Sequence, residues 1–361
     1  MTDVLSLRDL NRATLARQML LAREAVPVTD AVRRLAGLQA QEPKPPFLGL
    51  WTRLADFAVP DLHAALHDRT LVRATMMRGT LHLVTAEDYT ALRSALQPVL
   101  DSGLKALGDR AKGLERDRVL TVARDLLLEK PRTFNELRAL LQEAFPEVNE
   151  RALGFVVRMC TPLVMVPTQD RWGFPRTAEF ALADGWLGSA PDPESHVDAL
   201  VLRYLAAFGP ATAADAQAWS GLPAAEALER LRPELAVFAD EKGRELFDLP
   251  DAPRPGGDVP APPRFLPEFD NLVLAHADRR RVISDAHRPG LTTRNLRVRA
   301  TFLWDGFAAG TWETERKRKV ATLRLHPFEE LPDAAVAGLT AEGEALLRFA
   351  EPDAAEFAVR I

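Results

Sequence analysis

The chain has 361 residues, 47% apolar and 27% charged, with a formal net charge of −5 and one cysteine. That length calls for about two to four modules. The lone Cys160 excludes an internal disulfide and a multi-cysteine zinc site, and no apolar run approaches the roughly 18–20 residues that span a bilayer.

The first unit opens with Leu7, Leu10, Leu15, Met19 and Leu20, a pattern that predicts a helix over 7–21. Thr29 or Asp30 caps a second helix reaching about Leu38. The stretch Leu38-Gln39-Ala40-Gln41-Glu42-Pro43-Lys44-Pro45-Pro46 follows. In an extended segment Gln39 and Gln41 project from one side. Three prolines fix their own φ and restrict the residues before them. The expectation is a stiff, non-helical loop holding two amides at set angles, as a preorganised site requires. On residue types alone, a polar loop closing a helix fits as well. A third helix runs from Asp61 to about His67. Two β runs, Leu71–Thr75 and Thr80–Thr85, meet around Met77-Arg78-Gly79, which places Arg78 at an exposed turn. Phe47 and Trp51 read as core, and His82 as a packed or hydrogen-bonded strand residue.

The order of three helices and a hairpin then repeats twice. Arg116–Glu129, a capping box at Thr133-Phe134-Asn135-Glu136, and a helix starting at Asn149 precede a hairpin of Leu163–Val166 with Trp172–Phe174. His196–Phe208, a helix capped at Thr212 and another near Pro223 precede a hairpin of Leu235–Ala239 with Glu245–Leu249. Three helices followed by a hairpin is the winged-helix unit. The third helix of the third unit, around Ala224–Arg230, is small and acidic, so that unit reads as support and not as a DNA reader. Asp251–Pro263, rich in Pro and Gly, reads as a linker. The remainder alternates: Leu296–Trp304, a turn at Asp305-Gly306, Phe307–Trp312 with Trp304 paired to Trp312, and Val320–Leu325. A helix over Thr340–Phe349 and a strand at Ala358–Ile361 close the chain. The fold class expected is α+β: winged helices at 1–112, 113–190 and 191–255, and a small β-barrel or curled sheet at 256–361.

Charge is unevenly placed. From His276 to His326, twelve Arg and Lys oppose five acids on an otherwise acidic chain. Such asymmetry attracts phosphates. The candidate phosphate contacts are Arg78, Arg279, Arg280, Arg281, Arg297, Arg299, Arg316 and Lys317. Cys160, between Met159 and Leu163, reads as a buried and inert thiol. The seven histidines show no metal-ligand spacing, and the N-terminus, with Asp3 and Arg8, is unlike a signal peptide. No metal and no cofactor are expected, and the chain reads as a cytoplasmic monomer without a membrane partner.

Four stretches together resemble one family. Leu38-Gln39-Ala40-Gln41 resembles the Q-φ-Q motif of the AlkZ-like bacterial DNA glycosylases, within the AlkZ/YcaQ winged-helix superfamily. Arg73–Val84 resembles its first-wing signature. Leu266–Leu274 with Asp278-Arg279 resembles its C-terminal entry segment, and Trp304-Asp305-Gly306 through Trp312 its late hairpin. Gln41, where YcaQ-like members carry Asp, places the chain on the AlkZ-like side. The resemblance implies tandem winged helices wrapping double-stranded DNA in a C shape. It also implies removal of N7-alkylated guanines, including bulky natural-product adducts or crosslinks.

The residues fit that chemistry. An N7-alkylguanine already carries positive charge and leaves as a neutral base without an acid to protonate it. What remains is to hold a water and to face an oxocarbenium-like sugar with oxygen dipoles. Glutamine oxygens do both, which makes Gln39 and Gln41 the candidate catalytic residues. Glu42 reads as structural. Lys44 is held back by the prolines, so a Schiff-base lyase is disfavoured. An open, basic concave surface is expected, since a bulky adduct fits a tight pocket poorly. The competing readings are a winged-helix transcriptional regulator and a catalytically silent DNA-binding protein.

Overall fold

The computed structural model describes residues 3–293 and 297–361. Val4–Leu5 (β1) leads into Leu7–Arg17 (α1), where Ser6 and Asp9 form a capping box. Val28–Arg34 (α2) is followed, after Leu35 and Ala36, by Gly37, whose φ is +85°. A Cβ there would stand 2.7 Å from Val84 Cγ1, so only glycine lets the chain turn into Leu38–Gln39 (β2). The proline run departs from expectation. Pro43 opens a helix, Lys44–Trp51 (α3), with Pro45 and Pro46 in its first turn. A first-turn N–H has no partner within the helix, so its loss costs little there. Val59–His67 (α4), Leu71–Thr75 (β3) and Leu81–Thr85 (β4) complete the first unit as expected.

Ala86–Leu92 (α5) and Gln97–Gly103 (α6) lead to the second unit. It comprises Arg116–Glu129 (α7), Arg132–Thr133 (β5), Phe134–Ala144 (α8), Glu150–Cys160 (α9), Leu163–Met165 (β6) and Glu179–Leu182 (β7). Thr133 and Asn149 cap α8 and α9, as their residue types predict. The hairpin partner differs from expectation. Val164 pairs with Ala181, and Trp172–Phe174 lies in the connection. Cys160 is half-buried, and desolvation pushes its thiol up to about 11, so it stays protonated. The third unit runs Ala183–Leu187 (α10), Val197–Phe208 (α11), Ala213–Ser220 (α12), Ala225–Leu231 (α13), Ala236–Asp240 (β8) and Glu245–Asp248 (β9).

The units are sewn together by their sheets. The first two share a six-stranded sheet of order β2-β4-β3-β6-β7-β5, joined where Ala74 pairs with Val164. β1 pairs in parallel with β8, which ties the start of the chain to the third hairpin. Residues 251–263 form no helix or strand, yet they are held: Arg12 Nε donates to the Val259 carbonyl at 2.6 Å.

The C-terminal part comprises Arg264–Leu266 (β10), Thr301–Trp304 (β11), Phe307–Lys317 (β12), Val320–Pro327 (β13), Asp333–Ala350 (α14) and Glu356–Arg360 (β14). The expected barrel is not formed. Among the described residues the sheet is open, in the order β10-β11-β12-β13-β14. Leu339, Leu346 and Leu347 of α14 share one core with Phe265, Phe302 and Leu323 of the sheet. A helix, not closure of the sheet on itself, therefore covers the apolar face. β11 starts at Thr301, while Leu296 lies outside the described residues. Trp304 pairs with Phe307 and not with Trp312, whose Nε1 donates to the Leu266 carbonyl at 2.9 Å. Phe47 is core, as expected, and Trp51 stacks on Phe349 at 5.9 Å between ring centroids. No described helix is long and apolar enough to cross a membrane.

Candidate active site and nucleic-acid interface

Gln39 ends the edge strand β2, with His82 of β4 as its pairing partner. The ladder continues one residue further, where Ala40 N–H donates to the Leu81 carbonyl at 2.7 Å. The Leu81 N–H in turn approaches Gln41 Oε1 at 3.4 Å. From β3, Arg73 reaches the same loop: Nε donates to the Ala40 carbonyl at 2.8 Å and Nη2 to the Gln41 carbonyl at 3.1 Å. The stiffness expected from proline thus comes from a strand ladder and one guanidinium. Gln39 is 8% exposed and Gln41 is half-buried.

Arg78 is not the exposed turn residue expected. Its φ is +56°, and its side chain folds inward against the third unit. Nη2 donates to Gln39 Oε1 at 2.9 Å, and Nη1 donates to the Trp219 carbonyl of α12. A donor facing Gln39 requires the amide oxygen on that side, which fixes the orientation of the amide. The oxygen keeps a second lone pair. Burial, and then the neighbouring Arg279, lower the Arg78 pKa to about 10, so it remains cationic at neutral pH.

His82 is fully buried, with Nδ1 3.1 Å from the Thr80 carbonyl. The carbonyl accepts, so Nδ1 carries the proton, and Nε2 has no partner among the described residues. Burial first, and the Arg78 charge second, pull its pKa from 6.5 to about 3. His82 is neutral in the fold, and the packed histidine expected from the sequence is what stands here. Between those two values the unfolded chain holds the extra proton. Stability is therefore complete above about pH 6.5 and declines on acidification toward 3. His82→Gln is expected to flatten urea midpoints against pH in this window, by up to about 1.4 kcal/mol per pH unit.

The eight candidate phosphate contacts fare unevenly. Arg281 is buried, with Nη1 donating to the Pro210 carbonyl at 2.8 Å and Nη2 4.0 Å from Asp215. It pins the third unit from within and does not face a duplex. Arg280 binds Asp278, and Arg297 binds Glu268 at 2.5 Å with Glu42 at 3.8 Å. Arg316 meets Glu351 at 3.4 Å, and the exposed Lys317 meets Glu315 at 2.8 Å. Arg299 is exposed, with no ion pair among the described residues. Five of the eight candidates are thus answered in space by nearby acids. Lys44 pairs with Glu351 at 3.4 Å, away from the glutamines.

Four arginines without acid partners among the described residues gather at the glutamine loop. Arg73 and Arg158 lie at its Gln41 end, and Arg78 and Arg279 at its Gln39 end. None of the four has a carboxylate within 4 Å among the described residues, and burial lowers the pKa of each. Arg279 has its Nε enclosed without a partner. Two of these, Arg73 and Arg158, escaped the sequence reading as site residues. Their signal was an arginine placed on an otherwise apolar strand and on an otherwise apolar helix face. Two cavities flank the loop. One of about 440 Å³ lies among Glu42, Lys44, Trp172, Glu268, Arg297 and Trp312. The other, of about 360 Å³, includes Gln41, Arg73 and Arg158. Among the described residues no group of three or more His, Cys, Asp or Glu is placed to hold a metal ion.

A sheet-borne pair of amides set among unpaired arginines is the arrangement of an enzyme that works on a polyanion. The sequence profile of the family described as DNA glycosylase AlkZ-like matches residues 32–349, and the chain belongs to that family. It is 27% identical to the interstrand DNA cross-link repair glycosylase of Streptomyces sahachiroi, over 89% of this chain and 91% of that protein. The solved structure of Streptomyces sahachiroi DNA glycosylase AlkZ superposes with a TM-score of 0.79 at 21% identity. That match covers 99% of this chain and all of the other.

Proposed function

We propose that this glycosylase hydrolyses the N-glycosidic bond of N7-alkylguanine in double-stranded DNA, including adducts within interstrand crosslinks. The observation that carries this reading is the Gln39–Gln41 loop, rigidly held and ringed by four arginines without acid partners. Gln39 Oε1, with one lone pair on Arg78 and one free, and the side-chain oxygen of Gln41 hold the attacking water beneath C1′. As the C1′–N9 bond breaks, its electron pair stays on the base, which departs neutral. The new C1′–O bond forms to the water, whose proton passes to solvent. The oxygen dipoles oppose the positive charge developing on the sugar.

In this reading residues 1–112, 113–190 and 191–255 are winged helices arranged in a C around the duplex, and 256–361 form the C-terminal module. The chain acts as a cytoplasmic, nucleoid-associated monomer. It makes no Schiff base, consistent with Lys44 engaged by Glu351. The similarity to a cross-link repair glycosylase supports the crosslink substrate. The deciding experiment incubates the protein with a duplex carrying one 7-methylguanine. Free base and an abasic site support the reading, and an intact strand in which no base is lost rejects it.

A further inference from the structure

We propose that the cavity at the Gln41 end of the loop is a phosphate subsite. It grips one phosphodiester of the lesion-bearing strand through Arg73 and Arg158. This rests on the reading of DNA as substrate.

The cavity is lined by Gln41, Arg73, Thr133, Asn135, Arg158 and Arg176, among others. Glu42 is the one acid on its lining. It is exposed, lies 3.8 Å from Arg297, and offsets only part of the burial penalty on Arg73, whose pKa still falls to about 10. Arg73 is 3% exposed and cannot swing away, because two of its nitrogens hold the Ala40 and Gln41 carbonyls and its guanidinium lies 4.9 Å from the Phe174 ring centroid. Its third nitrogen, Nη1, is enclosed without a partner. Arg158 projects from α9, where Ala152, Leu153, Val156 and Val157 are all core. Its Nε is enclosed without a partner, and no hydrogen bond or ion pair ties its guanidinium among the described residues.

A buried cation with no carboxylate within 4 Å among the described residues, as Arg73 is, is costly, and the half-buried Arg158 beside it adds repulsion. An anion between them relieves both penalties at once, and the guanidinium fork matches phosphate oxygens. The leaving base is a poor candidate, since N7-alkylguanine is itself cationic. The cavity on the other side of the loop makes no such demand, because its Arg297 and Lys44 already have Glu268 and Glu351. A phosphate fixed beside Gln41 would set the sugar next to it at a constant distance from the amides.

The test uses the full chain, its Arg158→Gln and Arg158→Lys variants, and an undamaged duplex. Affinity is read by fluorescence anisotropy across a range of salt. Loss of one phosphate contact is expected to reduce the slope of log affinity against log salt by about 0.9 in Arg158→Gln. Affinity should fall about tenfold. Arg158→Lys should restore the slope but only part of the affinity, since the charge returns without the fork. Arg158→Gln should melt no lower than the parent, because an unmatched, half-buried charge has been removed. Inorganic phosphate, titrated at constant ionic strength, should raise the melting temperature of the parent and not of Arg158→Gln. An unchanged salt slope overturns the proposal, even if free phosphate binds, because the site would then serve a free anion. A lower melting temperature with an unchanged slope marks Arg158 as structural and also overturns it. Undamaged DNA keeps the two readings separable. An unchanged slope removes the subsite alone, whereas failure to release 7-methylguanine removes the glycosylase substrate reading alone.

Discussion

Gln41→Ala and Gln39→Ala are each expected to slow 7-methylguanine release by about 10²–10³-fold under single-turnover conditions, with little change in duplex affinity. The backbone on both sides of Gln41 is held by Arg73 and by the Leu81 carbonyl, so truncating the side chain leaves the loop in place. What is lost is an oxygen dipole aimed at the reacting sugar, and that loss appears in the chemical step. Gln39→Ala has a second consequence. It leaves the Arg78 guanidinium facing an empty position, which costs about 1–3 kcal/mol of stability. Rates must therefore be taken well below its melting temperature. Arg78→Met provides the converse: the Gln39 amide remains but loses its fixed orientation, and the rate should fall about tenfold. Full activity in both glutamine variants would remove these residues from the mechanism.

Much of the helix order could be read from the chain, because period and cap reinforce each other. Thr133 with Glu136, Thr212 with Asp215, and Asn149 each announce a helix, and each cap forms. A single local signal is ambiguous where period and cap do not agree. Prolines at 43, 45 and 46 looked like helix breakers, but proline is also a helix starter, and only the geometry of the first turn separates the two. Trp172–Phe174, the expected partner of β6, is a run too short to alternate. The true partner lies beyond Gly173 and Pro175. The amide pair was legible because two glutamines flanking one small residue is a local pattern. The arginines were not, because their partners are remote in sequence. Arg281 meets Pro210, and Arg78 meets Trp219, contacts that no local pattern encodes. Which arginines stay free for phosphate is set only after folding has used up the acids.

The largest stability effect should come from one such remote pair. Arg53 and Asp270 are both fully enclosed. Nη1 and Nη2 each meet a carboxylate oxygen at 2.9 Å, and Asp270 also accepts from the Leu272 N–H at 3.0 Å. The pair fastens the start of the C-terminal part to the end of α3, beside the segment that carries Glu268 and the glutamine-loop cavity. Asp270→Leu strands a guanidinium in the interior and is expected to cost about 3–5 kcal/mol, read from the midpoint of urea denaturation. Arg53→Met strands the carboxylate and should cost a similar amount. The double variant Arg53→Met/Asp270→Leu leaves no charge uncompensated, and most of the loss should be recovered, since apolar replacements of a buried pair are often neutral. Losses that simply add would show that the two side chains act separately. Single losses under about 1 kcal/mol would show that water reaches the pair and that the C-terminal part is fastened elsewhere.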